Sequence, residues 1–154
     1  MRTESKVIGG VEYRVTQLGA IMGRAVFLRL VKAIGPVLAS LASKEGTLSA
    51  LVKGGGKVDT TVDFGEILSH LNLSEDDAKY LCDAFAEKTF VVEAPDKMPK
   101  LSNVFDEHFA GRYAAMGQWI AFCVKLNYAD FFSDSLAEAI KQASANVPTA
   151  TAQN

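Results

Sequence analysis

Metal binding, proton transfer and nucleophilic attack each need particular side chains, and this chain has few: two histidines, His70 and His108, and two cysteines, Cys82 and Cys123. Their spacings match no zinc-site pattern, and neither cysteine belongs to a C-x-x-C pair. Both cysteines sit among apolar residues in helical patterns, which suits small core side chains rather than reactive thiols. His108 stands beside Asp106 and Glu107, but adjacent helical residues point apart, and no serine or cysteine has a spacing that would bring it to the imidazole. It reads as a hydrogen-bonded structural histidine, and His70, at a helix end, as a residue compatible with the negative end of a helix dipole. Lys57 after Gly54-Gly55-Gly56 suggests phosphate binding only superficially. A P-loop needs glycine where this chain has Leu51 and Ser or Thr where it has Val58. The expectation is a protein without catalytic residue, cofactor or metal, and so not an enzyme.

Recognition is the chemistry left, and it depends on which elements present which faces. Lys6-Val7-Ile8, Gly9-Gly10 and Val11 to Val15 read as a β-hairpin, the glycine pair suiting a two-residue turn with positive φ. A lone hairpin is marginal in water and needs a cover. From Gln17 to Ile34 the pattern is helical, with Gly23, Phe27, Leu30 and Ile34 as a core seam. Arg24, Arg29 and Lys32 lie on the other side with Ile21 and Leu28 among them, a face both basic and apolar. Gly35-Pro36 predicts a break and a new helix to Ala42. Residues 43–60, with Gly46 and the triple glycine, read as a mobile loop carrying a short helical turn over 48–52. Phe64, Ile67, Leu68 and Leu71 form the stripe of a further helix that ends at Asn72. Ser74 then caps another, whose first turn holds Glu75, Asp76 and Asp77 as partners of the helix dipole rather than as a metal cluster. Thr89 to Glu93, β-branched and bounded by Pro95 and Pro99, suits a strand beside the hairpin.

The chain of 154 residues is 49% hydrophobic, enough for one core. No apolar run long enough for a membrane span or a secretion signal occurs, so neither membrane insertion nor export is expected. Net charge is −2, but residues 1–57 hold nine basic and three acidic side chains against seven and fifteen in residues 58–154. Opposite halves of this kind fold against each other or meet between subunits, so self-association is open. Nucleic-acid binding is not expected, because the basic face has no aromatic stacking set beside it. The fold class is mainly α (α+β): about five to six helices with a small N-terminal hairpin and one further short strand. Residues 1–145 form a single domain and 146–154 a disordered tail.

The densest information lies in Phe105 to Phe132, FDEHFAGRYAAMGQWIAFCVKLNYADFF. Counted from Tyr113, Met116, Trp119, Ile120, Phe122, Cys123, Val124 and Leu126 wrap most of a helix and leave a polar strip at Gln118 and Lys125. Such a helix must be covered, by this chain's own helices or by a partner. A bend near Asn127 then precedes a last helix opened by Asp130, with Phe132, Leu136 and Ile140 in line.

The order of hairpin, LGAIMGRAVFLRLVKAIGP, FGEILSHLNLSEDDAKYLCDAFAEKTFVV, FDEHFAGRY and KLNYADFF resembles the tail assembly chaperones of long-tailed bacteriophages over most of residues 6–132. The pairing of HFAGR with NYADFF is its most specific part. Phe105, His108, Phe109, Gly111 and Arg112 match the first block and Asn127, Phe131 and Phe132 the second, while Ala129 stands where the family pattern has glycine. The resemblance implies a non-enzymatic protein of the host cell cytoplasm that coats the tape measure protein, brings tail tube protein to it and is absent from the mature virion. The alternative is a structural component of the tail or baseplate. The candidates for partner binding are Ile21, Arg24, Leu28, Phe105, His108, Phe109, Arg112, Trp119, Phe122, Phe131 and Phe132.

Overall fold

The computed structural model of the chain describes the backbone of residues 1–42 and 73–145, and the side chains of residues 1–33 and 73–131. Strands β1 (Thr3–Ile8) and β2 (Val11–Thr16) form the expected hairpin. Gly9 and Gly10 take φ of 57° and 80°, the left-handed pair that a two-residue turn between twisted strands requires and that residues with a Cβ adopt at a cost. Strand β3 (Thr89–Val92) pairs antiparallel with β2, giving the sheet order β1-β2-β3. Alternation sets its two faces: Ile8, Tyr13, Val15, Thr89 and Val91 are buried, whereas Thr3, Ser5 and Phe90 are exposed.

Four helices lie among the described residues: α1 (Ala20–Ala42), α2 (Glu75–Ala86), α3 (Leu101–Phe109) and α4 (Tyr113–Ala145). The fold is mainly α with a small sheet, as expected, but helix boundaries differ from the sequence reading. The break predicted at Gly35-Pro36 does not occur. A proline deletes one helical hydrogen bond and crowds the carbonyl four residues back, and α1 runs through that local cost. The helix end expected near Asn127 does not occur either, since α4 runs unbroken from Tyr113 to Ala145. Asn127 Nδ2 donates to the Cys123 carbonyl at 2.8 Å while Oδ1 accepts from Leu18 N–H at 2.8 Å, so this poor helix former is held in place by partners. Helix α3 is an element whose bounds the pattern did not give. The helices expected over 48–52 and through 63–72, the loop at 43–60 and the tail at 146–154 lie outside the described residues.

Helix α2 begins as predicted, with the Ser74 side chain accepting from Asp77 N–H. Its buried face, Leu81, Ala84, Phe85 and Ala86, joins the sheet and α4 in one core with Val26, Leu30, Leu101, Phe109, Trp119, Phe122, Val124 and Leu126. Helix α1 reaches this core through Val26 and Leu30, both fully buried.

Candidate interaction surface

The two motif blocks of the Phe105–Phe132 segment close the fold. Trp119 is fully buried, with Phe109 3% and Phe122 7% exposed. The Trp119 ring lies 5.5 to 6.4 Å from the rings of Phe109, Phe105 and Phe85, spacings at which aromatic pairs attract. Its indole N–H donates to Thr89 Oγ1 at 3.2 Å, and that hydroxyl donates to the Phe85 carbonyl at 2.8 Å. A buried strand residue thus relays one hydrogen bond between two helices and leaves no polar atom stranded. Cys123 is fully buried and its thiol pushed far up by desolvation, and Cys82 is raised to about 11 by the same cause. Neither is a thiolate near neutrality.

His108 Nε2 lies 2.6 Å from Tyr13 Oη, and the imidazole packs edge-on to Tyr13 and Phe109. Burial, and next the Arg112 charge, hold His108 below its ordinary value, while burial raises Tyr13. A neutral imidazole facing a neutral phenol follows. Gly111 has φ of 71°, the left-handed turn between α3 and α4 that favours glycine. Arg112 is half-buried, its guanidinium 3.4 Å from where a Cβ on Gly9 would stand. The second block fastens the start of the chain to α4: besides Asn127 with Leu18, the Leu126 carbonyl accepts from Gln17 Nε2 at 3.0 Å. Tyr128 Oη donates to the Gly23 carbonyl at 2.7 Å, and Phe131 sets its ring 4.4 Å from Phe27.

Six of the candidates therefore meet in one intramolecular cluster: Phe105, His108, Phe109, Arg112, Trp119 and Phe122. The cover on this segment comes from the chain itself, and Trp119, Phe109 and Phe122 offer almost no surface as folded. Phe131 is 44% exposed beside α1, and the Phe132 side chain lies outside the described residues. Tyr13 and Asn127 emerge as partners that the candidate set lacked. Tyr13 could have been found from its place between Val11 and Val15 on the buried face of β2. No local signal pairs Asn127 with Leu18.

Ile21, Arg24 and Leu28 are elsewhere. Ile21 is 90% and Leu28 56% exposed, and with Ala20, Arg24 and Ala25 they line a shallow groove along α1. Neighbouring Met22 and Val31 are each 42% exposed. Arg29, placed on this face from sequence, turns toward α2: it pairs with Asp77 at 2.5 Å and lies 4.0 Å over the Tyr80 ring. Hydrogen bonds from Ser74 and then Arg29 lower Asp77. Arg24 remains exposed between Ile21 and Leu28. Among the described residues no cluster of His, Cys, Asp and Glu could hold a metal ion, and no helix is long and apolar enough to cross a membrane.

Neither a curated protein nor a solved structure matches this chain. The family model described as phage tail assembly chaperone protein, TAC, matches residues 9–141, from the hairpin turn into the second half of α4. That span takes in both motif blocks and the exposed face of α1, and the chain belongs to the phage tail assembly chaperone family.

Proposed function

We propose that the protein works without chemistry of its own, covering a long helical partner, the tape measure protein, and bringing tail tube protein to it in the host cell cytoplasm, then leaving before the particle is complete. The observation that carries this reading is the face of α1. Ile21, Arg24, Ala25 and Leu28 fall at i, i+3, i+4 and i+7, the stripe by which one helix meets another. Ile21 and Leu28 are exposed apolar anchors with a basic residue between them, and the opposite side of the same helix is locked into the core by Val26 and Leu30. A rigid element presenting such a stripe suits an amphipathic helix with acidic groups at its margin.

Co-expression of the full chain with the tape measure protein, followed by pull-down, tests the reading. Ile21→Glu with Leu28→Glu should reduce capture at least about tenfold, because burying two carboxylates in an apolar contact is unfavourable. The thermal midpoint should be nearly unchanged, since exposed substitutions typically alter stability by only about 0.5 kcal/mol. Undiminished capture by the double variant would remove α1 as the docking face. Recovery of the protein in stoichiometric amounts from purified particles, by mass spectrometry, would instead indicate a structural component of the tail or baseplate.

A further inference from the structure

The sheet ends on β1, and among the described residues nothing pairs with its outer side. The residues whose backbone groups face outward follow from the register. Ile8 and Val11 close the two-residue turn and are a hydrogen-bonded pair, so Lys6 with Tyr13 and Glu4 with Val15 are hydrogen-bonded as well. The alternation continues beyond the strand: Gln17 N–H donates to the Arg2 carbonyl at 2.9 Å, whereas Thr16, opposite Thr3, donates away from β1 to the Lys88 carbonyl at 2.9 Å. Thr3, Ser5 and Val7 therefore point their N–H and C=O groups off the edge.

We infer that β1 pairs with β1 of a second copy, antiparallel about a two-fold axis at Ser5. Of the possible centres, Ser5 alone pairs all three outward residues of β1 with one another, Ser5 to Ser5 and Thr3 to Val7 in both directions, for roughly six N–H···O bonds. A centre at Glu4 or Lys6 keeps the bonding groups in phase but pairs only two of the three with each other and sets Glu4 against Glu4 or Lys6 against Lys6, and one at Thr3 leaves Val7 unpaired. The Ser5 register also sets Glu4 opposite Lys6 of the second copy, twice. Both side chains lie on the sheet face toward α4, where Lys6 Nζ stands 5.7 Å from the Phe122 ring centre. Charges on an edge strand repel an ordinary apolar strand, which would leave them unpaired. A copy of the same strand supplies the opposite charge at each position. The present Glu4 partner, Arg2 at 2.9 Å, is exposed and easily exchanged. The result is a continuous six-stranded sheet that closes at two subunits, whichever ligand the α1 face takes.

Sedimentation of the full chain over a wide concentration range is the test. The unmodified protein should show a concentration-dependent dimer. Ser5→Pro removes an N–H that points outward, so β1 and β2 keep their ladder, and this variant should be a monomer with an unchanged thermal midpoint. Glu4→Lys or Lys6→Glu alone should weaken the dimer about tenfold, by turning two attractions into repulsions. The double reversal should restore it to within about threefold of the original. If Ser5→Pro fails to fold, the three charge variants decide the matter. A monomer at every concentration overturns the inference, as does a dimer indifferent to the single reversals.

Discussion

Trp119 illustrates why a residue suited to an interface can be spent on the core. Its ring is enclosed by Phe85, Phe105 and Phe109 and its N–H is taken by Thr89. Trp119→Ala should lower stability by about 3–5 kcal/mol in chemical denaturation, and tape measure capture should fall only in proportion to the unfolded fraction. Loss of capture at full stability would mean that the indole leaves the core to bind. His108 makes a second prediction, about acid. Because its folded-state value is lowered, the unfolded chain takes up the proton first. Stability should be fully present above the unfolded value of about 6.5 and should fall as the pH drops from there through the folded value. Once the ring is protonated, Nε2 can only donate toward the Tyr13 oxygen. A denaturation series between pH 8 and about 5 should show that decline, and His108→Gln should flatten it; an equal slope in both proteins would place the titrating group elsewhere.

At the scale of elements, local chemistry was legible wherever one segment carried its own signal. The Gly9-Gly10 turn, the Ser74 cap and the short strand before Pro95 were read from adjacent residues, and each is there. At Asn127 the boundary was misjudged because a distant partner overrides local preference. Asn127 has low intrinsic helix propensity, yet its amide spans from Cys123 to Leu18 and the helix continues. Asn127→Ala should therefore destabilise the protein by about 1–3 kcal/mol despite the better helix former, because the partly buried Leu18 N–H loses its acceptor. Thermal or denaturant unfolding measures this, and a neutral or stabilising result would mean that water replaces the amide. The candidate site was legible in the same uneven way. The mixed face of Ile21, Arg24 and Leu28 followed from helical periodicity alone, whereas the role of the HFAGR and NYADFF blocks depended on packing. Both look like recognition motifs in one dimension and serve as fasteners in three.

For the whole molecule, the proposed docking surfaces and the folding core are separate. The aromatic cluster joins α2, α3, α4 and the sheet, while the α1 face and the β1 edge lie on the periphery of that core and can vary in composition at little cost to it. Paired through β1, two molecules would carry two α1 faces on one rigid sheet, and a partner with repeated helices would meet both at raised effective concentration. The fastening of the N-terminal segment to α4 has a further consequence, in time. Tyr13 bonds His108, 95 residues later, and Leu18 bonds Asn127, 109 residues later. At about 5–20 residues per second a ribosome needs roughly 5–20 s to travel that distance. The hairpin and the start of α1 are synthesised that long before the helix that fixes them. The surfaces proposed to meet other proteins are thus made before the helix that locks them, so the order of synthesis governs when the domain can close as surely as its contacts govern how firmly.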